Sequence, residues 1–166
     1  MTPSERSDPG IGNRASALTQ PMFHRVLNAH PMIVRDTLQD VRQRFRGEVG
    51  DYTLGRLELV LAEVMNNVAE HAPLGQAEQA RLPVIHLCIV CHSSGLACAL
   101  TDDGISLPDD CLLPRSLPPM VADDLPEGGF GWFLIQDLTQ ALCYYREESR
   151  NYLAFSIPFA QMEVDA

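Results

Sequence analysis

The stretch from Leu57 to His71, LELVLAEVMNNVAEH, narrows the possible folds of this chain more than any other. Leu57, Leu61, Val64 and Val68 follow a 4-3-4 spacing, so they line one face of a helix. At about 100° per residue, Glu63, Asn67 and His71 form a second stripe along the edge of that apolar face. Asn66 is expected on the opposite side, toward water. A carboxylate and a carboxamide one turn apart, at the rim of a core, can converge on one ligand. The plain alternative is a solvated helix flank.

The rest of the chain supplies enough apolar material to bury that face. It has 166 residues, 46% of them hydrophobic, which suits a single domain with a true core. We expect residues 21–160 to form that domain, with flexible tails at 1–20 and 161–166. The net charge of −10 argues against a nucleic-acid partner, which calls for a basic face. No apolar run approaches the ~18 residues of a membrane span, and the N-terminus has no signal-peptide block. A cytoplasmic protein is the expectation. All twelve cationic residues are arginine. The absence of lysine removes P-loop, kinase strand-lysine and Schiff-base chemistry. A bound nucleotide would have its phosphates held by backbone amides, arginine or a metal. Cys88 and Cys91 form a C-x-x-C flanked by His86 and His92, but on a strand they face opposite sides of the sheet and do not share a metal readily.

The hydrophobic periods give the order of elements. Met22 to Asn28 reads as a first strand. Pro31 sits where a helix can begin, and Val34, Leu38, Val41 and Phe45 repeat 4-3-4 up to Gly47. The Leu57 helix is expected to start with Thr53 as its N-cap and to stop near Ala72-Pro73. Val84 to His92 and Leu96 to Asp102, separated by Ser93-Ser94-Gly95, form a hairpin that is apolar on both faces, as central strands are. Residues 104–128 carry five prolines and many acids, with no period; a functional lid is expected, the alternative being a disordered segment. Trp132 to Leu142 reads as a helix, followed by a second hairpin from Cys143–Arg146 and Tyr152–Ile157. Helices therefore cover one face of a mostly antiparallel, mixed sheet: an α+β two-layer sandwich.

Three segments can carry chemistry. Asn67 offers a neutral oxygen suited to Mg²⁺, which keeps waters and phosphate oxygens in its shell, and Glu63 can take a proton from a hydroxyl or a water. Thr101-Asp102-Asp103-Gly104-Ile105 ends a strand. A carboxylate there can accept from an exocyclic amine while Gly104 admits a flat ring; the alternative is an ordinary acidic turn. Gly128-Gly129-Phe130-Gly131 precedes a helix, where free amides and the helix dipole make an anion site; the alternative is a glycine lead-in.

The succession E-x-x-x-N on a helix, D-x-G after a hairpin strand, a long lid and G-G-x-G before a helix resembles the GHKL ATPase superfamily, whose fold is the Bergerat ATP-binding fold. The segments GGFGWFLI (128–135) and EVMNNVAEH (63–71) are the specific ones. The small size, His71 and the ending YREESRNYL (145–153) are most similar to the RsbW-type anti-sigma-factor serine kinases of bacteria. The resemblance implies Glu63 as general base and Asn67 as Mg²⁺ ligand. It implies Asp102 on the adenine amino group, Gly104 beneath the ring, and Gly128, Gly129 and Gly131 at the phosphates of ATP or ADP. It further implies a homodimer that phosphorylates a STAS-type anti-anti-sigma partner and otherwise holds a sigma factor. An alternative is a nucleotide-binding switch that acts by binding without phosphotransfer. Ser106 stands where the family pattern D-x-G-x-G has its second glycine, a departure at the lid hinge. His71 has a plain alternative role beside the helix C-terminal dipole.

Overall fold

The computed structural model describes residues 21–70, 81–105 and 130–160. The expected tails at 1–20 and 161–166, the end of the long helix at His71 to Pro73, and the stretch containing Ser106, Gly128 and Gly129 lie outside the described residues. The element order is β1 (Met22–Asn28), α1 (Pro31–Phe45), α2 (Asp51–Glu70), β2 (Val84–His92), β3 (Gly95–Asp102), α3 (Phe130–Leu138), β4 (Gln140–Glu147) and β5 (Arg150–Pro158).

The five strands form one sheet in the order β1-β2-β3-β5-β4, and all four pairings are antiparallel. The mixed sheet expected from the sequence is thus antiparallel throughout its described strands. β2 and β3 lie inside the sheet, as their two-faced apolar character implied. On the helix-facing side the register aligns Phe23, Ile89, Cys98 and Phe155 across four strands. A second row aligns Arg25, Leu87, Leu100, Leu153 and Tyr144, and a third ends the sheet with Leu27, Ile85, Asp102, Asn151 and Arg146. The apolar rows bury against Val34, Val41 and Phe45 of α1 and Leu57, Val60, Leu61, Val64 and Met65 of α2. The third row turns polar at the sheet's end, and the candidate site begins there. Cys91 packs against this core while Cys88, three residues earlier, faces the other side, so the C-x-x-C is split by the strand as expected.

Helix boundaries follow local chemistry. Pro31 occupies the first turn of α1, and His30 is the N-cap, its Nδ1 accepting from the Met32 amide at 3.2 Å. Gly47, just past the C-cap, has φ of 84°, the left-handed conformation that closes a helix and that glycine takes without a Cβ penalty. α2 begins two residues before the expected Thr53 cap. The Leu54 amide bonds the Gly50 carbonyl at 3.0 Å, Asp51 places a negative charge in the first turn, and Thr53 is buried inside the helix. α3 is shorter than the expected 132–142 helix. It stops at Leu138, where Thr139 Oγ1 bonds the Ile135 carbonyl at 2.6 Å. The chain then enters β4 through a bulge between Gln140 and Cys143, with Ala141 at φ 53°. A continuous apolar run suits a short buried helix or a strand equally well, and its period does not show where one becomes the other. The second hairpin is tighter than expected: Glu148 and Ser149 alone join Glu147 to Arg150.

No helix among the described residues is long and apolar enough to cross a membrane.

Candidate nucleotide site

α2 carries one side of the site. Glu63 and Asn67 are both half-buried along the edge of its apolar stripe. Asn66 is half-buried too, contrary to the solvent-directed position expected for it. Exposure therefore does not separate the two asparagines; the helical phase does, because Asn67 lies four residues after Glu63. The amide nitrogen of Asn67 is buried.

α3 lies alongside α2, and the contact between them is tight at Gly131. A Cβ placed on Gly131 would stand 2.5 Å from a Glu63 carboxylate oxygen and 3.4 Å from its carboxyl carbon. Glycine at this position lets the Glu63 carboxylate lie against the first turn of α3, where a Cβ would push that side chain aside. A carboxylate there sits in the positive end of the helix dipole, where anions are favoured. At the other end of the same helix, Arg56 Nη2 reaches the Leu138 carbonyl at 3.4 Å, and its guanidinium also stands over the Tyr52 ring, 5.7 Å from the centroid. α2 therefore sets an anion at the N-terminus of α3 and a cation at its C-terminus, each complementing the local partial charge. Sequence reading missed Arg56. Its phase on α2, seven residues before Glu63, was the available signal.

The sheet carries the other side. Asp102 ends β3 and faces the helices in the polar row. Its Oδ1 accepts from the Gly104 amide at 2.8 Å and from Asn151 Nδ2 at 2.9 Å. A Cβ on Gly104 would lie 2.9 Å from that same oxygen and would press on the bonded carboxylate. Burial raises the pKa of Asp102. The Asn151 side chain and the Gly104 amide oppose that rise, Asp103 adds to it, and Arg146 lowers it. Asp103 does separate work: it accepts from the Val84 amide at 2.7 Å and from Arg81 at 2.8 Å, tying the exit of β3 to the entry of β2. Both acids thus take part in the turn, Asp102 through the Gly104 amide and Asp103 through the Val84 amide, and Asp102 is the one that lies in the sheet–helix layer.

Of the sequence-derived site residues, Glu63 and Gly131 meet, Asp102 and Gly104 meet, and Asn67 follows Glu63 by one turn. Gly128 and Gly129 lie outside the described residues. The described arrangement suits a nucleotide. The two glycines leave room beside the Glu63 and Asp102 carboxylates that a Cβ would take, and a half-buried carboxylate can accept from an exocyclic amine. No cluster of three or more His, Cys, Asp or Glu side chains arranged to hold a metal occurs among the described residues. A cation here would take its remaining ligands from phosphate and water, the habit of Mg²⁺.

Comparison with known proteins agrees with the fold. Residues 27–157 match the sequence model of the family described as histidine kinase-like ATPase domain. No curated protein matches the chain.

Proposed function

Because the chain belongs to the histidine kinase-like ATPase domain family, within the GHKL superfamily, we propose that it is an ATP-dependent serine/threonine-protein kinase and anti-sigma factor. Its substrate would be a STAS-type anti-anti-sigma protein, and a homodimer is the proposed working form. The observation that carries the catalytic part is the Glu63 carboxylate packed against Gly131 at the start of α3. That is where a family member's phosphates lie, and a base there can reach a hydroxyl directed at the terminal phosphorus.

In this reading Asp102 accepts the adenine amino group and Gly104 lets the ring approach the backbone. Gly131, with Gly128 and Gly129, presents backbone to the phosphates. Asn67 would hold Mg²⁺, which when bound supplies the counter-charge that a lysine gives elsewhere. Glu63 takes the proton of the serine or threonine hydroxyl as that oxygen bonds to the γ-phosphorus. The bond from phosphorus to the bridging oxygen breaks, leaving phosphoprotein and ADP. Phosphorylation would release the partner and leave this protein to hold a sigma factor.

A second reading keeps the nucleotide and drops the transfer: a switch that acts by binding alone. Ser106, in place of the family's second glycine, favours it, because serine is poor at positive φ. One experiment separates the two. Incubation with labelled ATP, Mg²⁺ and the small STAS-type product of a neighbouring gene should transfer label to a serine or threonine. Nucleotide binding without transfer supports the switch. Absence of any thermal shift with ADP or ATP removes both.

A further inference from the structure

Asn151 is only 3% exposed, yet it is polar and sits in the row that carries Asp102. It lies opposite Asp102 on one side and Arg146 on the other. Its amide nitrogen donates to Asp102 Oδ1 at 2.9 Å and to the Ile105 carbonyl at 2.8 Å. Its carbonyl oxygen accepts from Tyr144 Oη at 2.8 Å and from Arg146 Nη1 at 2.7 Å. Both donor hydrogens and both lone pairs are thus used. Turning the amide over would set its NH₂ against a guanidinium and a phenol hydroxyl, and its oxygen against a carboxylate. One orientation is therefore enforced, and that orientation always offers Asp102 a donor. Arg146 Nη1 also reaches the Gly104 carbonyl at 3.1 Å, so the same group braces the turn after β3 from two sides.

We propose that Asn151 is the positioning residue of the adenine-reading carboxylate. It pins Asp102 Oδ1 so that Oδ2 is left for the base, and it keeps the carboxyl ionised. The inference rests on the assignment of Asp102 to the adenine amino group. The chemistry follows from the donors. An ionised carboxylate accepts from an exocyclic amine, whereas a protonated one sets a donor against a donor. Burial favours the protonated form, and the Asn151 bond is the largest influence opposing it. Among the described residues, the other charged or titratable neighbours are Asp103, itself engaged by Arg81, and Arg146 and Tyr144 on β4. Without Asn151 the carboxyl would take up its proton at a higher pH, and adenine affinity would be lost at a higher pH than in the wild-type protein.

The test is ADP affinity by titration calorimetry from pH 5 to 8, with a thermal melt at each pH. Asn151→Ala should weaken ADP binding about tenfold at pH 7. The midpoint of the acid loss should move up by about one pH unit. Tyr144→Phe removes the hydroxyl that bonds the amide oxygen and leaves the amide in place; the same shift, smaller, should appear in this variant. An Asn151→Ala protein that melts earlier but keeps the wild-type pH midpoint would show a structural role alone and overturn the proposal. So would Tyr144→Phe with an unaltered profile, if Asn151→Ala does not fold. Wild-type protein that binds no adenine nucleotide at any pH would instead remove the adenine assignment on which the inference rests.

Discussion

The Asp102 end of the site is built from hydrogen bonds, while the Glu63 end is built from close packing. At the first, Asp102, Gly104, Ile105, Tyr144, Arg146 and Asn151 share a bonded network that spans three strands and the turn after β3. At the second, Glu63 is placed by the missing Cβ of Gly131 and by the packing of α2 on α3. A network of this kind fixes both the geometry and the proton state of a carboxylate, which suits recognition of one base edge. A packed carboxylate at a helix start has a different virtue. It can be approached by phosphate and hydroxyl without breaking a lattice of bonds, which suits a group that must take up a proton. In the proposed function the same residue type, an acid, would serve reading at one end and chemistry at the other through its surroundings.

The sharpest way to break this contrast is Glu63→Gln. The change keeps the shape against Gly131 and removes the base. Phosphotransfer should fall about 10²- to 10⁴-fold, while ADP affinity, if governed by the Asp102 end as proposed, stays within about threefold. Transfer at the wild-type rate would remove Glu63 as base. Gly131→Ala attacks the same end by volume. Alanine in place of glycine favours a helix by about 1 kcal/mol, so the melting temperature should hold or rise. The new Cβ would nevertheless displace Glu63, and transfer should drop about 100-fold, because a misplacement near 1 Å costs that much. A fully active Gly131→Ala protein would show that Glu63 is not used where it stands.

Asp102→Asn tests the bonded end, and it should split stability from binding. Loss of a charged acceptor should weaken ADP about 10- to 100-fold. Stability should move the other way. The folded-state pKa of Asp102 is raised, so the carboxyl favours the fold when protonated, below its unfolded pKa, and that favour is lost as pH rises through the folded value. At neutral pH the ionised group is therefore a cost, and the unliganded Asp102→Asn protein should melt no earlier than wild type. The advantage should vanish in acid, where wild-type Asp102 is protonated in both states. An earlier melt at pH 7 would mean that the network gains more from the charge than burial takes away.

The same contrast decides what the sequence could disclose. Glu63 and Asn67 were legible because a single helix sets their relation, through a period that any amphipathic stretch reveals. Asp102 was legible by its place at a strand end before glycine. Asn151 was not, because its meaning lies in register: it matters only once β5 pairs with β3 and β4 so that residues 102, 151 and 146 share a row. No local period encodes that pairing. The sheet-and-helix layers followed from element order, yet the end of α3 did not. Ala141 leaves the helical region inside an apolar run, and only the bulge in β4 marks the change. Thr53 misled for a related reason: a good capping residue also buries well in a helix when its neighbours form a core.

Arg56 offers the smallest and most specific probe, since it touches the packed end from its far side. Its guanidinium lies at the C-terminal carbonyl of α3 and over Tyr52, while Glu63 stands at the N-terminus of the same nine-residue helix. Arg56→Met keeps most of the side-chain volume and removes the charge. Loss of a cation at a helix C-terminus costs about 0.3–1 kcal/mol, so the melting temperature should fall by a few degrees, roughly in line with that cost. If α3 is seated by charges at both ends, its N-terminal turn should become a poorer phosphate platform. ADP affinity should then fall about two- to threefold, while adenosine, which reaches only the Asp102 end, binds as before. Equal losses for ADP and adenosine would show the two ends to be mechanically joined, and the division between a bonded half and a packed half would not hold.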